Sequence, residues 1–424
     1  MADYDVAVIG GGPAGMFSAG LIAQAGNRVA LIEKNEKVGR KLLITGKGRC
    51  NITNMSDKND LIAALTKNSK FMYSAFSNFD AYDTVAFFED NGVPIKVERG
   101  NRVFPVSDKA VDVVDCLYNF VKHNGVEILN NTVSNVLKNN NGTFTVKLDE
   151  LTEITSEYVV IATGGKSYPK TGSTGDGYTF AEKLGHSIVK PKGSLVPLNV
   201  AEGAAAECQG LSLKNVAIKV VDTNNKKTVY SDFGEMLFTH FGLSGPMILS
   251  ASAHIRDAKN GQYKIHIDLK PALDEEKLDN RILRDFSVNS NKILSNSLSK
   301  LLPSKLIPVI IKVSGLNGGL KVNQITKLQR ESLVKTIKDF SFTVTSLRPV
   351  EEAIVTSGGV DCNEINPKNM CSKIVDKLYF AGEVIDVDAY TGGFNLQIAF
   401  STAYCAAKDI DKRLKGENLW FLLQ

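Results

Sequence analysis

The sequence lacks any long hydrophobic run. Its 424 residues contain no stretch of about 18 consecutive apolar residues, so a membrane-spanning helix is excluded. The first residues, Met1-Ala2-Asp3, are not followed by the apolar region of a secretory signal peptide. We therefore expect a cytoplasmic protein without a membrane partner.

Cysteine and histidine are scarce and show no metal-ligand pattern. The six cysteines are not spaced like zinc ligands or a disulfide framework, and the five histidines place no pair on one helix face. We therefore predict reduced thiols that pack as small hydrophobic groups. We predict no metal site.

The sequence does contain a strand, a glycine-rich turn, a helix, a second strand and an acidic residue in direct succession. Tyr4 to Ile9 is predicted as a buried parallel strand because it is almost continuously apolar. The glycines after it follow the G-x-G-x-x-G register. In that register the first permits a tight turn, the second lets the backbone approach a pyrophosphate, and the third lets the helix pack on the strand. The residues that this motif assigns to phosphate binding are Gly10, Gly12, Pro13, Ala14 and Gly15.

The second strand, Arg28 to Ile32, ends at Glu33, about twenty residues beyond the glycine motif. A carboxylate at this place accepts hydrogen bonds from a ribose diol. The predicted helix between the strands, Ala14 to Ala25, points its N-terminal N–H groups at the phosphates. Together these elements predict a dinucleotide-binding unit.

Two later strands return to the same sheet and favour FAD over NAD. One is Tyr158 to Gly165, and the other is Lys377 to Glu383. A nicotinamide cofactor needs only this dinucleotide-binding unit. FAD is a longer molecule and usually draws contacts from distant segments of the chain as well. We expect the Glu383 carboxylate to hold ribityl hydroxyls. Because many flavoproteins have Asp at that place, Asp386 is the alternative.

Four segments have a more specific pattern: Gly39–Asn54 (GRKLLITGKGRCNITN), Ala162–Gly177, Phe238–Pro246 and Gly382–Gln397. Together they resemble the HI0933-like (YhiN/BaiN) flavoproteins, which are also described as aminoacetone-oxidase-family FAD-binding enzymes. The resemblance spans nearly the whole chain. It implies an α/β fold in which a Rossmann-like, glutathione-reductase-like FAD domain carries an inserted β-barrel and a helical subdomain.

The loop after the second strand concentrates positive charge. Arg40, Lys41, Lys47 and Arg49 lie close together, and a dianionic pyrophosphate would explain that density. A solvated basic loop is the alternative. Glycines in this loop and at Gly392–Gly393 suit close backbone approach to an isoalloxazine ring.

The segment Asn395–Gln397 opens a predicted helix whose N–H groups would face the N1–C2 carbonyl edge of the flavin. The resemblance alone makes Val133, on a predicted strand within Val126–Val136, an adenine contact. Beyond the phosphate-binding residues, the predicted cofactor contacts are Glu33, Lys34, Arg40, Lys41, Gly46, Gly48, Arg49, Cys50, Asn51, Val133, Thr163, Gly164, Gly165, Gly382, Glu383, Asp386, Gly393, Phe394, Asn395, Leu396 and Gln397.

Candidate catalytic groups are fewer. His240 lies in a glycine-containing loop and has a side chain suited to proton transfer at neutral pH, while capping of that loop is the alternative. Tyr168 and Tyr390 can orient a carbonyl or protonate a carbanion, and their alternative role is packing or flavin contact. Cys50 stands where flavin disulfide reductases begin a reactive C-x4-C pair. Met55 occupies the partner position, so a redox dithiol is excluded there.

The sequence pattern changes along the chain. We predict a discontinuous FAD domain of residues 1–190 and 350–424, a β-barrel of 191–272 and 340–349, and a helical insert of 273–339. Apolar residues at helical spacing between Asp274 and Asp339 predict the insert. The barrel is predicted from short β segments at Leu195–Val200, Asn215–Val221, Thr228–Tyr230 and Tyr263–Leu269.

These elements predict an FAD-dependent oxidoreductase that exchanges hydride between flavin N5 and a small organic substrate. The resemblance implies either reduction of an enone C=C bond or oxidation of an amine. The sequence contains no second dinucleotide-binding unit that could be dedicated to a nicotinamide cofactor. NAD(P)H would therefore bind only transiently, as a co-substrate. The alternatives are an RNA-modifying flavoprotein and a flavin-bound regulatory protein without turnover.

Charge does not by itself favour a nucleic-acid partner. The net charge is only +4, although Lys292 to Lys338 contains nine cations and one acid, a local charge of +8. That segment has no aromatic residue to stack on bases, and its lysines alternate with apolar helix positions as on a solvated face. We therefore expect a small-molecule substrate in a cleft walled by the barrel and the insert, and no nucleic acid.

The unpaired Cys50 leads to a first test. Cys50→Ser should keep the flavin spectrum and most of the turnover, because no dithiol takes part. Steady-state kinetics check this. A loss greater than about a hundredfold with FAD retained, about 2.7 kcal/mol in the barrier, would make the thiol a participant.

Overall fold

The computed structural model describes residues 2–149, 152–255, 257–288 and 290–416. The chain forms two compact units, one from the residues up to Ser194 with those from Val350 onward, and one from Leu195–Pro349. The strands, numbered in chain order, are β1 (Tyr4–Ile9), β2 (Val29–Ile32), β3 (Thr53–Asn54), β4 (Ile95–Glu98), β5 (Arg102–Pro105), β6 (Glu127–Leu129), β7 (Asn135–Lys138), β8 (Phe144–Lys147), β9 (Glu153–Ile161), β10 (Ile188–Ser194), β11 (Leu198–Val200), β12 (Ser212–Asp222), β13 (Thr228–Phe238), β14 (Gly242–Ser244), β15 (Tyr263–Asp268), β16 (Phe340–Leu347), β17 (Val355–Val360) and β18 (Leu378–Phe380). The helices are α1 (Pro13–Gln24), α2 (Arg40–Ile44), α3 (Lys58–Ala63), α4 (Tyr73–Asn78), α5 (Ala81–Asp90), α6 (Ala110–His123), α7 (Asp176–Lys183), α8 (Ala204–Glu207), α9 (Pro246–Ser252), α10 (Glu275–Val288), α11 (Leu294–Ser297), α12 (Ile307–Val313), α13 (Lys327–Lys338) and α14 (Phe394–Leu414).

The first unit is built on a seven-stranded sheet. Strands β6, β2, β1 and β9 lie side by side in that order and run parallel, and β18 pairs in parallel with the C-terminal half of β9. The N-terminal half of β9 instead pairs antiparallel with β8, and β8 pairs with β7. The predicted strand Tyr4–Ile9 and the helix after it are confirmed. The Rossmann-like sheet of the predicted fold is therefore present.

The parallel register brings four strand ends to one edge of the sheet. Ile9 is the register partner of both Ile32 and Ile161, and Ile161 is the partner of Phe380. The segments that follow these residues therefore leave the sheet side by side.

Helix α1 is held against this sheet by an aromatic cluster. The Phe17 ring contacts the rings of Phe79, Phe87 and Phe400 at centroid distances of 5.2, 4.8 and 5.5 Å. Such tilted and edge-on pairs add to the burial of apolar surface. Since Phe400 belongs to α14, the first and last helices of the unit share one core.

The prediction that Val133 lies on a strand is wrong. The chain leaves the sheet after Leu129, and Val133 is buried in the irregular segment between β6 and β7. Two successive asparagines favour that turn, and the Asn130 side chain donates to the carbonyl oxygen of Asn35 at 2.9 Å.

The second unit contains a closed barrel in the order β11-β14-β13-β12-β15-β16. The predicted inserted barrel is confirmed, but β13 runs from Thr228 to Phe238, well beyond the predicted Tyr230. Exposed polar residues and Gly234 interrupt the apolar alternation there, which hid the second half of the strand. The Phe238, Phe340 and Phe342 rings pack together in the barrel core.

The predicted helical insert is also present, as α10 to α13. Its apolar positions pack into the same core as the barrel interior, including Leu278, Ile282, Ile310 and Ile337. Leu328, also placed on the apolar face by its spacing, is 77% exposed. It lies roughly 180° around α13 from Ile337, on the face opposite to the buried Leu333, Val334 and Ile337. Among the residues that the structure describes, none of the helices combines the length and apolarity that a membrane span requires.

His186 is a buried titratable group in the first unit. Its side chain Nε2 lies 2.8 Å from the hydroxyl of Ser372, and its ring packs edge-on against Phe380 at 4.9 Å. Burial lowers the pKa of this histidine. The folded protein therefore holds His186 neutral at pH values where an unfolded chain binds a proton.

This burial leads to a prediction for stability in acid. An unfolded histidine titrates at about pH 6.5, so the contribution of neutral His186 is complete above that pH and is lost as the pH falls below it. The melting temperature of the wild type should therefore fall more steeply between about pH 7 and about pH 5 than that of His186→Gln, which does not titrate. Equal slopes in thermal melts across this range would contradict the prediction.

Candidate functional site

Three backbone turns meet at the carboxyl edge of the parallel sheet. Gly10 has φ +107°, and a Cβ there would lie 2.6 Å from the carbonyl oxygen of Ala162. Gly382 has φ +75°, and a Cβ there would lie 2.9 Å from the Cβ of Ala14. Glycine is required at both positions because the turns after β1, β9 and β18 are in contact.

The N-terminus of α1 forms the centre of this site. Gly12 is its N-cap residue and provides no side-chain cap, and Pro13 occupies the first turn. A Cβ at Gly12 would meet nothing within 4 Å, whereas one at Gly15 would collide with the Gly10 carbonyl oxygen. The uncapped helix end and the free space beside Gly12 fit a pyrophosphate.

Glu33 is anchored at the end of β2. One of its carboxylate oxygens accepts from the Gly11 N–H at 2.8 Å, and the other accepts from the backbone and side-chain N–H groups of Asn35 at 2.8 and 2.6 Å. Each carboxylate oxygen has two acceptor sites. The carboxylate oxygen that accepts from Gly11 therefore has one acceptor site left for a ribose hydroxyl.

A polar network joins Lys41 to Glu383, which lie 342 positions apart. The Lys41 ammonium is 2.7 Å from both the Glu383 carboxylate and the Ser167 hydroxyl. The other carboxylate oxygen of Glu383 accepts from the Thr356 N–H at 2.8 Å. The network positions Glu383 beside Gly165, where a Cβ would lie 2.9 Å from its carboxylate.

Some of the other cations near the turn also have protein partners. Lys34 pairs with Asp176 at 2.6 Å, and the Arg40 guanidinium donates to the neutral side-chain oxygen of Asn35 at 2.7 Å. Arg49 pairs with two carboxylates, Glu98 and Asp108, and its guanidinium stacks 4.1 Å from the ring of Phe104. Lys47 is exposed and has no ion-pair partner among the described residues. Arg40 and Lys47 therefore keep their positive charge unneutralised by protein carboxylates. Contacts of these cations with a cofactor stay a prediction.

The loop after α2 is largely left-handed. Gly46, Lys47, Gly48 and Cys50 all have φ between +55° and +82°, a conformation that glycine adopts without strain. Cys50 is fully buried, and burial raises the pKa of its thiol to about 12. A protonated, inaccessible thiol suits the structural role, not that of a nucleophile. The side-chain oxygen of Asn51 is buried with no hydrogen-bond partner among the described residues.

The N-terminus of α14 is a second uncapped helix end. Gly393, its N-cap, has φ +100° and no side-chain cap, and its backbone packs on Thr53. The Asn54 side chain donates to the Gly392 carbonyl at 2.9 Å, and the Asn395 side chain bonds to both backbone groups of Ala389 at 2.8 and 3.0 Å. Phe394 and Leu396 are half-buried in this turn. A 21-residue helix held in this way can direct its first N–H groups at an electron-rich ligand edge.

Two predicted cofactor contacts are engaged within the protein. Gln397 is fully buried, and its amide bonds to the hydroxyls of Thr53, Thr84 and Ser401. We therefore assign it a structural role that joins α14 to β3 and α5. The Asp386 carboxylate is buried and paired with Lys67 and with the Asn68 amide, so Glu383 is the stronger candidate for the ribityl group.

Sequence reasoning missed Lys67, Asn68 and Thr356 as partners of these carboxylates. They lie 319, 318 and 27 positions from the residues that they bind. No local spacing in the sequence connects them. Only the left-handed conformation of Asn68, with φ +51°, corresponds to a sequence signal, since asparagine tolerates that region.

The candidate proton donors lie in different surroundings. Tyr168 is half-buried in a left-handed conformation next to the turn after β9, and burial raises the pKa of its phenol. Tyr390 is half-buried just before α14. The Thr163 hydroxyl is buried and has no partner within the described ranges. His240 belongs to the second unit, where it is exposed in the tight turn between β13 and β14 beside Phe241.

No metal centre is visible in the part of the chain that the structure describes. His, Cys, Asp and Glu side chains nowhere form there a group of three or more able to hold an ion.

Comparisons with known proteins agree with this geometry. The family model described as the HI0933-like protein Rossmann domain matches residues 4–409. The chain is 34% identical over 411 residues to a ribosomal RNA dihydrouridine synthase of Escherichia coli K12, covering 97% of this chain and 98% of that one. It is 31% identical to a protein of the same name from Haemophilus influenzae, covering 96% and 98%. It is 28% identical to a 3-dehydro-bile acid delta(4,6)-reductase of Clostridium scindens, covering 96% and 99%.

A solved structure also shares the fold. The 3-ketosteroid-delta4-(5alpha)-dehydrogenase of Rhodococcus jostii RHA1 matches with a TM-score of 0.53 at 14% identity, covering 97% of this chain and 98% of that one. At this identity the likeness concerns the fold alone. It supports the combination of a Rossmann-like domain with an inserted second unit.

The space at Gly12 leads to a test of the pyrophosphate position. Gly12→Val should fold, because a Cβ at this position meets no protein atom within 4 Å. It should purify without FAD, because the new side chain would fill the space of the pyrophosphate. Flavin absorbance per chain and HPLC of the released flavin measure the occupancy.

The matched control is Gly203→Val, since a Cβ at Gly203 also meets nothing within 4 Å but lies in the second unit. It should keep its FAD. A fully loaded Gly12→Val protein would refute this placement of the pyrophosphate.

Proposed function

The chain belongs to the HI0933-like family and is an FAD-dependent oxidoreductase, and from this premise we propose that it reduces a uridine of ribosomal RNA to dihydrouridine. The observation that carries the proposal is end-to-end similarity, at 34% and 31% identity, to ribosomal RNA dihydrouridine synthases of two organisms. The sequence alone favoured a small-molecule substrate and ranked RNA modification second. The relatives support the reverse order.

The two kinds of relative share one type of chemistry. Dihydrouridine is uridine with its C5=C6 bond saturated, and that bond is conjugated to the C4 carbonyl. A delta(4,6) bond system in a 3-dehydro bile acid is likewise conjugated to a carbonyl. In uridine the β-carbon, C6, takes a hydride and the α-carbon, C5, takes a proton. In a dienone the hydride adds to the electrophilic β- or δ-carbon, and a proton adds to carbon in the enolate that results. We therefore propose reduction of a carbonyl-conjugated double bond, and not amine oxidation, as the reaction type.

FAD in its reduced form would supply the hydride to the β-carbon. In our proposal the α1 N-terminus at Gly12 holds the pyrophosphate, Glu33 binds the adenosine ribose, and Glu383 binds the ribityl chain. The uncapped N-terminus of α14 at Gly393 would stabilise negative charge on the flavin ring. NAD(P)H is proposed as the electron donor, bound transiently at the same site.

The proton for the α-carbon requires an acid that is protonated at neutral pH. Tyr168 meets this condition because a phenol is protonated at neutral pH even with its ordinary pKa of about 10, and burial raises the pKa of Tyr168 further. It lies beside the turn after β9. We propose Tyr168 as the donor, with Tyr390 as the alternative. A proton-transfer role for His240, which is exposed in the second unit, stays a prediction.

A small-molecule reductase is the second candidate function. It is favoured by the 28% identity to the bile acid reductase, which covers 99% of that protein. The same cofactor site serves both reactions. The two functions therefore differ in substrate recognition and not in hydride transfer.

The decisive measurement is the dihydrouridine content of ribosomal RNA, determined by mass spectrometry. Deletion of the gene in its source organism should remove dihydrouridine from one rRNA position, and the wild-type gene should restore it. The Gly12→Val gene should restore less than about a tenth of it, because the variant lacks the phosphate site for FAD. Unchanged rRNA after deletion, together with NAD(P)H-dependent reduction of a 3-oxo-delta4 steroid by the purified protein, would establish the small-molecule function instead.

A further inference from the structure

Part of the positive charge of the helical insert is paired within the second unit. Lys312 pairs with Glu207 at 2.7 Å, and Lys338 pairs with Asp268 at 2.6 Å. Arg330 forms a two-pronged pair with Asp279. In addition, the Lys305 ammonium donates to the Gln209 carbonyl, and Lys327 lies 3.9 Å from Glu331. Four lysines of the insert have no ion-pair partner among the described residues: Lys292, Lys300, Lys321 and Lys335. The local charge of +8 counted along the sequence is therefore only partly available to a polyanion.

A second set of unpaired lysines lies on the barrel, where the lysines form one continuous face. We define the lysine ribbon as Lys219 on β12, Lys226 and Lys227 in the turn to β13, Lys259 in the loop before β15, and Lys264 on β15. Four of them are exposed and Lys264 is half-buried. None forms an ion pair with any residue that the structure describes.

The barrel register makes the ribbon continuous. Lys264 is the register partner of Val221, two positions along β12 from Lys219, so the two lysines are diagonal neighbours on one face. At the tip, the Thr223 N–H donates to the Gln262 carbonyl at 2.8 Å. This bond fixes the turn that carries Lys226 and Lys227 against the loop that carries Lys259.

The surroundings of the ribbon add groups that suit bases. Phe233 on β13 is 53% exposed and lies opposite Ala217, diagonal to Lys219. Beside the turn is a recess of about 310 Å³ whose lining includes Asn224 and Asn260. Amide side chains of this kind hydrogen-bond to base edges, and exposed aromatic rings stack on unpaired bases.

The acids close to the ribbon are mostly occupied. The Asp222 carboxylate is buried and accepts from the Asn224 N–H at 2.8 Å. Asp339 lies 2.7 Å from His266, the register partner of Lys219. Glu235, two residues beyond Phe233, is exposed and marks one end of the basic face. The face therefore keeps an excess of positive charge.

We propose that the lysine ribbon binds the phosphate backbone of the RNA substrate and that Phe233 stacks on an unpaired base. This rests on the proposed function and names the surface that the function would use. Five unpaired cations on one continuous face would release counterions on binding RNA, which makes the affinity dependent on salt. An aromatic group is available here, whereas Lys292–Lys338 has none.

The test measures affinity for a ribosomal RNA fragment that contains the modified uridine, at two salt concentrations. The triple variant Lys219→Glu, Lys226→Glu, Lys227→Glu should bind at least about tenfold more weakly and reduce the slope of log K against log salt by about 2. Phe233→Ala should lower affinity by about tenfold with the salt slope unchanged. Flavin content and NAD(P)H-dependent flavin reduction should equal those of the wild type in both.

The matched control is Lys292→Glu, Lys300→Glu, Lys335→Glu, which makes the same charge change on exposed, unpaired lysines of the helical insert. It should stay within about threefold of wild-type affinity. Equal weakening by both triple variants would overturn the ribbon as the binding surface. A ribbon variant that binds RNA and forms dihydrouridine like the wild type would overturn it while leaving the proposed function intact. Absence of both RNA affinity and dihydrouridine formation in the wild-type protein would instead reject the proposed function.

Discussion

The parallel register at the carboxyl edge of the central sheet is the constraint on which the rest of the site depends. Because Ile9, Ile32, Ile161 and Phe380 end their strands in register, four distant segments must share one small volume. Side chains would not fit where their backbones touch, so Gly10, Gly15 and Gly382 follow from the packing. Gly12 is not crowded, since a Cβ there would meet nothing within 4 Å, and its lack of a side chain leaves the end of α1 uncapped. Strand order thus places the phosphate cradle, and glycine at position 12 keeps it open.

Polar side chains then join the segments that the sheet brings together. Lys41 and Glu383 are each about one-fifth exposed, so their ion pair contributes mainly to position and only modestly to stability. Gln397 is different because its amide is fully buried with several partners. Removing it would leave the buried Thr53 hydroxyl without its acceptor, at a cost of about 1–3 kcal/mol, whereas the Thr84 hydroxyl also has the Asp80 carbonyl as an acceptor. Positioning and stability are therefore assigned to different residues of one site.

Electrostatics in the second unit depends on which charges are paired. Residues of the helical insert and of the barrel have similar basic character in the sequence, but the insert contributes ion pairs to nearby carboxylates such as Glu207 and Asp279. The β12–β13 turn has no such neighbour for Lys226 and Lys227 among the described residues. A paired cation has little attraction left for phosphate, whereas an unpaired one retains it. Local net charge is therefore a poor guide to a binding surface without the contacts.

Short-range signals in the sequence suffice to predict the dinucleotide unit, FAD, and the barrel and helical character of the insert. These signals are apolar periods of 2 or 3.6 residues, and glycine where the backbone must turn or approach closely. They fail where polar residues interrupt a strand, as in the second half of β13, or where asparagines turn the chain out of a sheet before Val133. The pairing of Lys67 with Asp386, the burial of Gln397 and the continuous face of unpaired lysines on the barrel depend on tertiary contacts. Those outcomes join residues hundreds of positions apart or depend on which acids fold nearby, and no local period encodes either.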